Sequence, residues 1–137
     1  MAFVVLDTDV ASLLIKDRMP ESLTARLLGY KPCLTFVTVG ELTRWAEKRN
    51  LGARRRAELT GWIDHQPVLP YDFKTALRWG RMMAAADARG RTLPRNDSWI
   101  AACCLEAGLP LATNNVKDFI DLVEPEGLQL ITPTHHR

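Results

Sequence analysis

The sequence predicts an α/β fold with a short, mostly parallel sheet, and three observations carry that expectation. Short β-branched or aromatic runs alternate with segments of helical spacing along the chain. No internal repeat or low-complexity tract interrupts the alternation. Four acidic residues, Asp7, Glu41, Asp97 and Asp118, stand where strands hand over to helices. In open α/β sheets, that edge is where ligands bind.

Phe3 to Leu6 reads as the first strand. Asp9 is the expected N-cap of a helix running through Ile15. Pro20 breaks the chain, and Ser22 to Leu28 reads as a short helix. After Gly29 and Pro32, the β-branched and aromatic run Cys33 to Thr38 reads as the second strand. Helix is expected from Val39 to about Arg49, with Leu42, Trp45 and Ala46 as its apolar stripe. Asn50 and Gly52 stop it, and a further helix covers Ala53 to Asp64. Pro67 to Pro70 suits an edge strand, because proline cannot donate to a ladder.

Asp72 caps the longest expected helix, which runs to Arg89 with a stripe of Phe73, Ala76, Leu77, Gly80, Met83 and Ala84. The loop RGRTLPRN leads to a helix from Asp97 to Ala107. Its buried face is Ile100, Cys103, Cys104 and Ala107, with Gly108 at C′. Leu109 to Thr113 reads as strand, Val116 to Val123 as helix and Leu128 to Ile131 as the last strand.

A chain of 137 residues, 47% apolar and 25% charged, is a single globular domain spanning 1–137. Its 18 Lys and Arg against 16 Asp and Glu leave a net charge of +2, which permits nucleic-acid binding only through clustering. No apolar stretch approaches the ~20 residues of a membrane span. The start, MAFVVLDTD, lacks a basic n-region, so no secretory signal is expected. Cys33, Cys103 and Cys104 form no CxxC pair and read as core residues of a chain in the reducing cytoplasm. His135 and His136 read as either native or an appended remnant.

Carboxylates gathered in one pocket repel each other, so some are protonated or a cation neutralises them. No histidine or thiol accompanies these four. An all-oxygen set suits Mg²⁺ or Mn²⁺ rather than zinc. Mg²⁺ on few carboxylates keeps waters and takes phosphate oxygens, the equipment for phosphodiester hydrolysis. Taken singly, the acids have a bland explanation. Thr38 to Glu41 fits a capping box, and Asp97 and Asp118 suit the positive end of a helix dipole. Asp7 is the exception, since it follows a buried strand where a carboxylate needs a partner.

The motifs VVLDTDVAS, TVGEL, RNDSWIAA and TNNVKDF, in that order between residues 3 and 119, resemble the PIN-domain ribonucleases, and most of all the toxins of bacterial VapBC toxin–antitoxin pairs. Each motif alone is weak; the ordered set is specific. The resemblance implies a three-layer α/β/α sandwich. It also implies a Mg²⁺- or Mn²⁺-dependent endoribonuclease that cuts RNA, pairs with a VapB-type antitoxin and forms a homodimer. Carried over by motif, Asp7, Glu41 and Asp97 match the family's principal acids. Asp7 and Asp97 would contact the metal, and Glu41 would hold a metal water or orient the nucleophile. Asp118 would be the fourth acid, its role open to sharing with Asn114 or Asn115. Asp9 departs from the family, where Asn is common.

Six of the 18 basic residues, Arg44, Lys48, Arg49, Arg54, Arg55 and Arg56, fall within 13 positions. Arg44 and Lys48 share a helix face with Glu41 and are candidate RNA contacts, as are Arg91 and Arg95 in the loop before Asp97. The alternative for all of them is a solvated surface. Of the four tryptophans, Trp45 and Trp79 read as core or interface. Trp99, two residues from Asp97, is the candidate for base stacking. The apolar helices VASLLI and SLTARLL suit a groove for a partner helix.

Two other readings compete. A catalytically degenerate PIN-like module would bind RNA or protein without turnover. A haloacid-dehalogenase-type phosphatase also opens with two alternate aspartates. That family, however, expects Thr or Val where Ala11 stands.

Overall fold

The computed structural model describes residues 2–133, so His135 and His136 lie outside the described residues. Its elements run β1 (Ala2–Leu6), α1 (Thr8–Ile15), α2 (Glu21–Arg26), β2 (Tyr30–Thr35), α3 (Phe36–Lys48) and α4 (Ala53–Asp64). They continue with β3 (Val68–Leu69), α5 (Phe73–Ala88), α6 (Arg95–Ala107), β4 (Leu111–Ala112) and α7 (Val116–Phe119). A 3₁₀ turn (Ile120–Leu122), α8 (Val123–Glu126) and β5 (Leu130–Ile131) complete the order.

The five strands lie in the order β3-β2-β1-β4-β5, and every pairing is parallel. β1 is therefore central, and the winding reverses on either side of it. The sheet divides two cores. Val4 and Leu6 face one core with Leu34, Ala112, Val10, Leu23, Leu42 and Leu59. Val5, between them, faces the other with Cys33, Leu111, Met82, Ile100, Phe119 and Leu122. This is the period-2 alternation of a strand covered by helices on both faces. The result is the expected α/β/α sandwich. Each fully buried Leu, Ile, Met or Phe contributes roughly 1.5–3 kcal/mol.

Several sequence expectations shift. β2 ends at Thr35 rather than Thr38, because the Thr35 hydroxyl accepts a bond from the Thr38 amide at 3.3 Å and caps α3. The β-branched run that follows becomes helical because Val37 and Thr38 are buried there, and packing overrides propensity. Glu41 thus lies in the second turn of α3, and the Thr38–Glu41 capping box does not form. Asp7, not Asp9, caps α1. α6 begins at Arg95, directly after Pro94, which puts Asp97 inside its first turn. α2 and β4 are shorter than expected. The single helix expected over 116–123 breaks into α7, the 3₁₀ turn and α8, which ends at Gly127 with φ 79°.

The α5 stripe is rotated from its expected position. Thr75, Met82 and Ala86 are buried, whereas Phe73 is 75% exposed and Leu77 41% exposed. Both faces of α5 carry apolar residues, so periodicity alone does not choose between them. On α6, Ala107 is exposed and Ser98, Ala101 and Ala102 join the buried face. The three cysteines are free and buried, as expected. No helix among the described residues is long and apolar enough to cross a membrane.

The packing of α5 generates a direct test. Met82→Ala is expected to cost about 2–5 kcal/mol of unfolding free energy in urea. Leu77→Ala is expected to cost less than about 1 kcal/mol. The reverse order would restore the stripe read from periodicity.

Candidate active site

β1 drives Val4 to Leu6 into the two cores, and the next residue, Asp7, stays in the interior at 3% exposure. Its Oδ1 accepts from the Val10 amide at 2.8 Å, the cap of α1. Its Oδ2 accepts from the Thr113 hydroxyl at 2.5 Å. Strand register makes this contact: Leu6 pairs with Ala112, so Asp7 and Thr113 are the next rung beyond two parallel strands. Thr113 Oγ1 also accepts from the Asn115 amide at 2.9 Å, and its own proton goes to Asp7. Burial nevertheless pushes the Asp7 carboxyl up to about 7, against the pull of the Thr113 and Val10 bonds. The charges of Asp9 and Asp97 add to the rise.

Glu41 is held from two sides. Thr8, the first residue of α1, donates its hydroxyl to Oε1 at 2.5 Å, and Asn96 of α6 donates Nδ2 to Oε2 at 3.2 Å. Thr8 Oγ1 also lies 3.1 Å from Thr38 Oγ1. Because Thr8 gives its one proton to Glu41, Thr38 is the donor of that second contact. The chain Thr38–Thr8–Glu41 ties α3 to α1.

Asp97, half-buried in the first turn of α6, has its carboxyl raised to about 6, first by burial and then by Asp118, Glu41 and Asp9. Asp118 lies in the first turn of α7. The four acids expected from the sequence are therefore electrostatic neighbours around the C-terminal ends of β1, β2 and β4. Asp9 joins them, and the Asn115 side chain donates to its carboxylate. Sequence reasoning missed the holders Thr8, Asn96 and Thr113. Thr113 had a readable signal, since it follows β4 as Asp7 follows β1.

The donor set is all oxygen and carries excess negative charge. Among the described residues, no group of three or more His, Cys, Asp or Glu is gathered closely enough to hold a metal ion by itself. By its chemistry, an all-oxygen donor set suits a hard cation of the Mg²⁺ type, which takes one or two carboxylates and keeps its waters. Asp7 and Asp97 would be the residues to hold such an ion; each oxygen of Asp7 accepts one protein hydrogen bond and keeps a further lone pair.

The basic candidates divide. Arg44 and Lys48 line a groove of about 490 Å³ with Thr8, Glu41, Trp45 and Arg49. Arg95 is exposed at the start of α6. Arg91 is exposed too, with Asp121 4.0 Å from its Nε. Trp99 stacks on Trp79 with centroids 4.4 Å apart and meets Phe36 and Tyr71 edge-on or tilted. Trp79 in turn donates to Ser98 Oγ at 2.8 Å. One face of Trp99, the candidate for base stacking, is thus filled by Trp79, and the pair is part of the packing.

A family model described as PIN domain matches residues 4–124. A tRNA(fMet)-specific endonuclease VapC of Shigella flexneri is 34% identical over 116 residues, covering 83% of this chain and 87% of its own. Ribonuclease VapC2 of Haemophilus influenzae is 32% identical over 115 residues, with the same coverage of 83% and 87%. Among solved structures, DNA-bound VapBC from Salmonella typhimurium superposes with a TM-score of 0.82 at 29% identity, covering 98% of this chain and 100% of that one. VapBC-5 from Mycobacterium tuberculosis does so with 0.73 at 27%, covering 96% and 99%.

The Asp7 environment sets a pH dependence in metal-free protein. Its folded-state value, about 7, lies above the ordinary 3.8, so the fold favours the protonated form. That contribution is full at low pH and is lost as pH rises through about 7. Asp7→Asn stays neutral throughout. In EDTA, its stability relative to the parent chain is expected to grow from pH 5 to pH 8, by on the order of 2–3 kcal/mol in urea unfolding. A difference independent of pH would remove the buried charge as its cause.

Proposed function

We propose that this chain, which belongs to the PIN-domain family, is an endoribonuclease of the VapC type and the toxin half of a toxin–antitoxin pair. The observation that carries the reading is the convergence of Asp7, Glu41, Asp97 and Asp118 at the C-terminal edge of a parallel sheet, in a chain whose relatives are VapC ribonucleases.

Each residue has a physical task in this reading. Asp7 and Asp97 would hold a divalent cation, Mg²⁺ or Mn²⁺, whose charge would offset the burial, and after it the repulsion by neighbouring acids, that raise both carboxyls. Once bound, the cation supplies water activation and charge neutralisation for phosphodiester hydrolysis. Glu41, fixed by Thr8 and Asn96, orients the attacking water. Asp118 adds negative charge beside Asp97 and would strengthen the hold on a cation there. Thr113, with the Val10 amide, fixes the Asp7 carboxylate in place without reorganising.

A VapB-type antitoxin is the partner, supported by the VapBC complexes among the structural neighbours. A homodimer is part of the same proposal. Two relatives carry the name tRNA(fMet)-specific endonuclease, which makes transfer RNA the first substrate class to try.

The test is cleavage of total cellular RNA by the purified chain with Mg²⁺ or Mn²⁺. Discrete fragments are expected, absent with EDTA. Asp97→Asn is expected to slow cleavage by about 100-fold or more, because the cation then keeps only one of its two carboxylates. Intact RNA in every lane, with Mn²⁺ still bound to the chain, would make it a binding module instead.

A further inference from the structure

The solvent face of α3 carries a groove that meets the acids at Glu41 and whose other α3 residues have no part in the chemistry described above. It holds about 490 Å³ and is lined by Thr8, Glu41, Arg44, Trp45, Lys48 and Arg49. That volume lies within the roughly 300–1,000 Å³ of small-ligand sites. Glu41, Trp45 and Lys48 recur at i, i+4 and i+7 on α3, with Arg44 beside them, so one helix face builds most of the wall.

The charges in this region are not equivalent. Arg54 pairs with Glu58 and Arg56 with Glu47. Arg44, Lys48 and Arg49 form no ion pair among the described residues, and these three are the ones that line the groove. Arg55, also without a carboxylate partner among the described residues, does not line it. The dipole of α3 accounts for cations near its C-terminus, at Lys48 and Arg49, but not for Arg44 in mid-helix. Trp45 supplies the aromatic surface. The residue is half-buried, packed in part against the core, and Lys16, directly after α1, places Nζ over the ring, 5.2 Å from its centroid. A tryptophan wall, unpaired cations and an acid of the reacting site at one end match the chemistry of single-stranded nucleic acid: phosphates on the cations, a base on the ring.

We infer that this groove is a nucleotide subsite, which seats the single-stranded RNA next to the scissile phosphate with its phosphates on Arg44, Lys48 and Arg49 and a base against Trp45. The inference rests on the ribonuclease reading above and gives it a direction, with the strand leaving the acids along α3. It also makes the groove a specificity determinant. A duplex cannot splay a base onto Trp45 without unstacking it.

The test is binding of a fluorescein-labelled ten-nucleotide oligouridylate, in EDTA, to the chain carrying Asp97→Asn, read by anisotropy. Combined Arg44→Ala, Lys48→Ala and Arg49→Ala, all at exposed positions, are expected to weaken binding by about 10–100-fold at low salt. The slope of log affinity against log salt should flatten by about 2, from roughly 0.7 for each phosphate that is no longer neutralised. Trp45→Ala is expected to weaken binding by roughly 10-fold, and Trp45→Phe, which keeps a ring and the packing, by much less. Lys74→Ala with Arg81→Ala, on a separate cleft beside Arg78 and Glu106, should leave affinity within about twofold.

Unchanged affinity and salt slope in the triple variant overturn the subsite. If the parent chain still cleaves RNA, the ribonuclease reading stands without it. A chain that neither cleaves RNA nor binds the oligonucleotide removes both. Tight binding of a decaglutamate peptide, abolished in the triple variant while oligouridylate binding persists, makes the groove a docking site for an acidic protein segment and overturns the proposal.

Discussion

The structure turns on one buried carboxylate at the end of its central strand. Asp7 is 3% exposed, next to other acids, yet it caps α1 and takes a hydroxyl from the neighbouring strand. Those two bonds satisfy its oxygens but do not offset the loss of water, and the carboxyl stays raised to about 7. The parallel order with β1 in the centre makes this placement unavoidable. The central strand delivers the residue that follows it, Asp7, into the cleft where the winding reverses. The scaffold thereby holds a group whose charged form costs stability.

The surrounding polar residues follow from that constraint. Thr113, Thr8, Thr38, Asn96 and Asn115 are neutral donors, and each aims at an acid or at another donor in the chain. None adds a positive charge that would compete with a cation for Asp7 or Asp97. Arg44, Lys48 and Arg49, which form no ion pair among the described residues, line the groove that runs on from Glu41 along the same helix. Negative pocket and positive approach are thus separated on a single helix, α3, which supplies Glu41 to one and Arg44, Lys48 and Arg49 to the other.

Much of this is legible in the sequence. Alternating strand and helix signals give the layered parallel sheet, and acids after apolar runs mark the site edge. The differences share a cause, because local preference speaks where packing decides. Phe36 to Val39 has strand composition, but Thr35 caps it as helix and the interior accepts Val37 and Thr38. Phe73 and Leu77 have the spacing of a core stripe, but Met82 and Ala86 fill the core. Trp99 suits a base by its position near Asp97, but Trp79, 20 positions earlier, covers its face. The donors around the acids are single small polar residues, and only strand register and helix packing bring them within reach.

The most direct measurement is a calorimetric titration of the metal-free chain with Mn²⁺ at pH 8, beside Asp7→Asn, Asp97→Asn and a change that removes one carboxylate charge elsewhere, Glu58→Gln. Saturable binding in the parent chain and in Glu58→Gln, abolished or weakened at least about 10-fold in both aspartate variants, is the predicted result. Equal Mn²⁺ binding in all four proteins would contradict it, and the raised carboxyls would then need another explanation than a cation site.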